Sequence, residues 1–438
     1  MFTTLKNAFK IKEIREKILF TFAMLVVIRF GSQLPVPGVN GEVFRQWFSG
    51  EQSGGAFSFF DAITGGSFSS MSILALNITP YITSSIIMQL LTIAIPKLEE
   101  MQRDGEDGRK KIVSITRYVT VALAVVQSTA MAIGFGRQGY LNSFDALSII
   151  CSVATLTAGS AFLMWVGERI TEKGIGNGIS IVLVINIISR LPQDLRTLFD
   201  QFVLGKAPAT AILAAVIIIA IIVAMVVLVI ILNDGTRKIP VQYANKVQGR
   251  KMVGGQTSNI PLKVNTSGVI PVIFAQSLLQ LPIIISSFAQ YKGTGVWSEI
   301  LKYLSSNNWC DPKQIKYSAG LLVYIALIIF FAYFYTSITF NPLMVADNMK
   351  KQGGFIPGIR PGKPTSDYLN KVLNYIVFIG AIGLTIVAVL PYFFSGVFKA
   401  NVSFGGTSLI IIVSVVLETM KQVESQMLVR NYKGFLEK

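Results

Sequence analysis

Long apolar runs alternate with shorter polar or basic ones along this chain, and the runs predict its architecture. Ten stand out: roughly 18–34, 71–95, 112–134, 147–166, 176–189, 209–232, 268–288, 318–340, 372–394 and 407–420. At about 1.5 Å per residue, most are long enough as helices to cross a hydrocarbon core of roughly 30 Å. The strongest is 209–232, almost wholly aliphatic. The expected fold class is therefore an all-α polytopic membrane protein with ten transmembrane helices.

Several runs are interrupted in ways that lipid-facing helices seldom are. Residues 54–70 read GGAFSFFDAITGGSFSS, apolar enough for a membrane protein but too short and glycine-rich to span. This stretch reads either as a re-entrant or surface helix of the outer face, or as a short movable helix lodged in a cavity. Irregular backbone at membrane depth is tolerated only inside protein or against water. Asn77-Ile-Thr-Pro-Tyr-Ile82 places a polar, proline-bearing break early in the second run. The fifth begins KGIGNGIS, the seventh carries Pro271 and Pro282, and the tenth begins FGGTS. Such breaks mark helix packing or a lined cavity, and periodicity does not separate the two.

Composition narrows the class. Of 438 residues, 52% are hydrophobic and only 14% charged, a balance that a soluble domain does not tolerate. The formal net charge is +16, and its placement predicts topology. With ten spans, the side bearing both termini collects 28 Lys and Arg and the opposite side 10, leaving out Arg29 within the first span. The positive-inside rule then puts both termini in the cytoplasm of a multi-pass protein. Topology and attraction to anionic phospholipid account for most of the basic loops. The loops at about 233–264 and 341–370 are longer than topology requires. Their Gly, Pro and paired basic residues point to a docking surface for an acidic or RNA-containing partner.

Candidate chemistry is sparse. Histidine is absent and there are two cysteines, so a zinc site, a His-based triad and a histidine proton relay are excluded. No GxxxxGK[ST] phosphate loop is present, and no catalytic residue or cofactor site stands out. Arg29 lies midway along the first run, while Arg117, Glu168 and Glu418 fall near span ends, where snorkelling is cheap. A secondary transporter of a small solute is the alternative reading, but it would be expected to show a midplane ionisable pair. An intramembrane enzyme would need a buried Ser/Lys, paired Asp or His site. The pattern favours a conduit.

Motifs in order along the chain make that reading specific. They are IRFGSQLPVPGVN (28–40), NITPYITSSIIMQLL (77–91), DGEDGRKKIVSITRY (104–118), GERITEKGIGNGISI (167–181), RKIPVQYANK through QTSNIPLKVNTSGVIPVIF (237–274), FNPLMVADNMKKQGGFIPGIRPGKPT (340–365) and FGGTSLIIIV (404–413). In these the chain resembles the SecY family, the main subunits of the bacterial Sec protein-conducting channel, over essentially its whole length.

The resemblance implies two pseudo-symmetric halves of five helices, 1–189 and 209–438, hinged at an outer loop near 190–208, around a central pore with a lateral gate and plug. It implies a constriction of aliphatic side chains at Ile78, Ile82, Ile179, Leu183, Ile273 and Ile411, with Leu183 replacing the family's commoner isoleucine. Residues 54–70 match the plug, including Phe57, Phe59, Phe60, Asp61, Ile63, Gly65 and Gly66. The lateral gate would lie between the second and third spans and the seventh and eighth, with Thr83 and Gln127 as polar members. Docking of the motor ATPase SecA and of ribosomal RNA would use Arg360 foremost, then Arg237, Lys238, Arg250 and Lys251. Implied partners also include SecE- and SecG-like small membrane subunits, signal peptides and nascent chains. The expected location is the bacterial plasma (inner) membrane, and the expected function is passage of unfolded polypeptides and lateral release of transmembrane segments.

Overall fold

The structure, a computed structural model, describes residues 8–49, 61, 63–137, 139–141, 143–204, 208–243, 246–248, 251–253, 257–288, 295–310, 312, 314–398 and 406–436. Helices dominate: α1 Lys12–Gly31, α2 Gly41–Ser49, α3 Thr79–Ala94, α4 Pro96–Arg103, α5 Glu106–Arg137, α6 Ala146–Lys173, α7 Gly178–Phe202, α8 Pro208–Asp234, α9 Ile270–Phe288, α10 Val296–Leu304, α11 Ala319–Thr339, α12 Pro342–Lys351, α13 Lys363–Phe398 and α14 Gly406–Leu436. Among the described residues, five short strands join them: β1 Thr236–Tyr243, β2 Lys246–Gln248, β3 Lys251–Val253, β4 Thr257–Lys263 and β5 Gly354–Phe355.

Each of the ten predicted runs overlaps a helix. Among the described residues, six helices are long and apolar enough to cross a membrane, or seven if α3 and α4, bent by 106° at their junction, count as one span. Among the others, α1 opens on the charged KEIREK, and α14 carries Glu418, Lys421, Glu424 and Arg430 from its middle onward.

Several boundaries move, two of them beside the site. The second run was expected to be helical from 71, but α3 begins at Thr79 with Pro80 in its first turn. Residues 71–78 are turns apart from a bridge between Ser72 and Pro35, with Met71 and Asn77 at positive φ. Asn tolerates that left-handed backbone better than most residues do. The fifth run was expected to end at 189, yet α7 continues to Phe202 with Pro192 inside it.

The chain divides into two compact units. One comprises Met1–Thr197, Pro282–Ser298 and Val415–Lys438. In it the α5 and α6 helices pack side by side, and Ser84 of α3 donates to the Thr116 carbonyl of α5 (2.8 Å). Phe44, Phe68 and Phe135 build a core with Leu156, Met71 and Val36 through edge-to-face contacts, Phe44–Phe135 at 4.9 Å. Gly159 of α6 lies directly against the Ile73 backbone, so that a Cβ there would run into the Ile73 carbonyl. Gly159→Val is accordingly expected to destabilise the protein by about 1–3 kcal/mol. Thermal unfolding in detergent should register a lower midpoint, and an unchanged midpoint would show that the contact can relax.

The other unit comprises Leu198–Leu281 and Glu299–Ser414. Its core gathers Val229 and Leu232 of α8, Val272 and Leu279 of α9, Tyr324 and Ile328 of α11, Leu384 and Val387 of α13, and Ile410 of α14. β1 pairs antiparallel with β4 from Thr236↔Lys263 to Gln242↔Thr257, and on its far edge with β5 at Gln242↔Phe355.

Candidate functional site

The predicted constriction residues occupy the opening turns of helices. Ile78 is the N-cap of α3 and Ile82 lies one turn on, its N–H donating to the Ile78 carbonyl (3.1 Å). Ile179 opens α7, where the Asn177 side chain caps the helix by accepting from Ile179 N (3.1 Å). Leu183 follows one turn later. Ile78, Leu183 and Ile411 are buried, and Ile82, Ile179 and Ile273 half-buried.

Polar bridges that sequence reasoning missed sit beside these positions. In the first unit, Asn186, one turn after Leu183, donates through Nδ2 to Asn77 Oδ1 (3.1 Å), the residue before Ile78. The bridge thus ties the α7 turn bearing Leu183 to the start of α3. In the second, Gln276, one turn after Ile273, donates to the Tyr392 hydroxyl (2.7 Å) and accepts from Thr407 Oγ1 (3.5 Å), one turn before Ile411. Lone amides in apolar runs were the available signal. Buried polar groups in such runs need partners, although the run does not say which.

The glycine-rich element is described only in part: Phe57, Phe59 and Phe60 lie outside the described residues. The described remainder, Asp61 and residues 63–70, is folded into the interior of the first unit. Asp61, Thr64, Ser67 and Phe68 are buried, and Ile63, Gly65 and Gly66 half-buried. Gly65 (φ +65°) presses on α7 so closely that a Cβ would meet the Asn186 carbonyl. Asn77 Nδ2 donates to the Ile63 carbonyl (2.9 Å), and Asp61 forms an ion pair with Arg190 of α7. Arg190, expected only as part of an outer loop, is the most consequential residue missed.

Thr83 is half-buried on α3, its hydroxyl donating to the Thr79 carbonyl (3.1 Å), and Gln127 is half-buried on α5. Among the basic candidates, Arg237 and Lys238 are exposed on β1, which turns Ile239 and Val241 inward. Arg360 is exposed in a loop between Gly358 and Gly362, both at positive φ, and its carbonyl accepts from Thr365 Oγ1 (2.8 Å). The two long loops are brought together: β5 extends the β4–β1 sheet, and Ile239, Leu262, Met349, Ile356 and Leu369 share one core. Lys251 falls in β3, while Arg250 lies outside the described residues.

Comparison with known proteins gives this geometry its context. Residues 72–420 match the SecY family model. The protein translocase subunit SecY of Thermotoga maritima is 40% identical over 450 residues, covering 100% of this chain and 98% of that one. A solved channel described through the plug domain of the SecY protein, said to stabilise the closed state and maintain a membrane seal, superposes with a TM-score of 0.62 at 18% identity. It covers 94% of this chain and 92% of that one. Sec61 in the canine ribosome–channel complex gives a TM-score of 0.59 at 18% identity, with the same coverage. At these identities the structures establish a shared fold.

Proposed function

This chain belongs to the SecY family, and from that premise we propose that it forms the channel through which unfolded secretory polypeptides cross the bacterial plasma membrane. The observation that carries the reading is the full-length likeness, at 40% identity, to a protein translocase subunit. The chemistry agrees with it. By the family likeness, Ile78, Ile82, Ile179, Leu183, Ile273 and Ile411 supply an aliphatic neck. Such a neck offers water and ions no hydrogen bond, so ions face a desolvation barrier. It makes no sequence-specific contact with a passing chain, which suits substrates of arbitrary sequence.

A signal sequence gains stability by moving from aqueous surroundings to a lipid boundary, in proportion to the apolar area that it buries. A lateral gate including Thr83 and Gln127 would therefore sort segments by length and hydrophobicity, releasing the most apolar ones as anchors. The 54–70 element closes the resting channel. Both termini face the cytoplasm, where the basic platform of β1, β4, β5 and the Arg360 loop receives the motor ATPase SecA or ribosomal RNA. SecE- and SecG-like subunits complete the complex, and anionic phospholipids hold the basic loops.

Site-specific crosslinking tests the gate. A photoreactive residue at Thr83 should join a stalled signal peptide, whereas crosslinks confined to other faces of the protein would refute the assignment.

A further inference from the structure

Asp61 is the one charged residue of the glycine-rich element, and it is fully buried. Oδ1 accepts from the Ser69 backbone N–H (2.8 Å), which ties Ser69 back to Asp61. Oδ2 meets Arg190 of α7. Arg190 also lies 3.7 Å from Asp194, one helical turn further on. A cation on α7 is thus held between a carboxylate of its own helix and one belonging to the inserted segment. Polar contacts reinforce the seat: Ser189 Oγ donates to the Gly65 carbonyl (3.5 Å), and Asn77 donates to that of Ile63.

We propose that Arg190 is a further positioning residue of the channel, latching residues 63–70 onto α7 through Asp61, so that breaking this pair is a condition for moving the segment. The proposal rests on reading the segment as the closing element. Removing one member of a buried ion pair is strongly destabilising because it strands the other. Here the arrangement avoids that penalty when the segment leaves. Arg190 keeps Asp194 as partner, and Asp61 passes into water, where an ionised carboxylate is well solvated. An apolar seat alone would bind the segment without such an exchange. The latch therefore gives a tight resting state and a released state in which neither charge is orphaned.

The test reads the segment itself. In a Cys151→Ser, Cys310→Ser background, Ser67→Cys places a thiol at a position only 2% exposed. Its labelling by a water-soluble maleimide, in membranes containing the full complex, follows the fraction of time the segment is released. Asp61→Asn leaves Arg190 paired with Asp194, so it is the variant expected to fold. It should speed labelling by about tenfold or more, and Arg190→Gln should do the same. The double variant should add little to either single one, since both break the same contact. Arg190→Lys, which keeps the charge, should stay near the wild-type rate. Unchanged labelling in Asp61→Asn, or single effects that multiply in the double variant, would overturn the latch. Faster labelling without any rise in resting ion conductance would uphold the latch and instead refute the sealing role of the segment.

Discussion

Replacing Ile411 by Asn is expected to raise the ion conductance of the resting channel by about tenfold or more, and Ile82→Asn should act in the same direction. The argument begins with burial: Ile411 is 3% exposed in α14. An amide there without a partner costs about 1–3 kcal/mol, and each 1.4 kcal/mol shifts an equilibrium tenfold. The closed state carries that penalty, while a hydrated state satisfies the amide, so the balance moves towards opening. The same amide also lets water remain in a neck that an aliphatic side chain would empty. The neighbouring residue supplies a control. Ile410 belongs to the packed core of the second unit with Val272, Leu279 and Leu384. Ile410→Ala should lower the unfolding midpoint without creating a leak. Planar-bilayer recording of both Asn variants, with a secretion assay using a defective signal sequence, decides the matter. Unchanged conductance and unchanged signal stringency in both would remove these residues from the constriction.

Reversing the charge of Arg360 is the second large effect. ATP-driven export into membrane vesicles should fall by at least about tenfold in Arg360→Glu, the scale expected when a close charge pair becomes a repulsion. Membrane assembly should be unaffected, because the side chain is exposed. Its backbone is fixed by the Thr365 bond and two positive-φ glycines, so the charge is presented from a rigid turn. A fixed charge loses less side-chain freedom on pairing with carboxylate or phosphate than a mobile one does. Arg237→Glu and Lys238→Glu, on the neighbouring strand, should give smaller losses that salt diminishes further. Wild-type export in Arg360→Glu would withdraw the docking role.

The two boundaries that moved beside the site share a cause. The fifth apolar run is expected to end at Ser189 because Arg190 follows, and Pro192 lies two residues further on. In the structure α7 runs past both, since Arg190 finds Asp61 and Asp194. A charge ends a membrane run only when it has no partner, and its partner is 129 residues away along the chain. The helix within run 71–95 starts late for a related reason: Asn77 bonds across to Asn186 and Ile63 instead of joining a helix.

Hydrophobic periodicity, charge placement and ordered motifs were enough, without coordinates, to show a polytopic helical membrane protein, its resemblance to a channel family and the candidate positions of an aliphatic neck. Those properties are local, because span length, loop charge and a motif's residue types can be read along one dimension. Tertiary structure alone joined the two long loops through β1 and β5, set Gln276 between Tyr392 and Thr407, and seated the glycine-rich element on α7. Pairings of that kind depend on which distant groups satisfy one another once water is excluded, and no sequence interval encodes them.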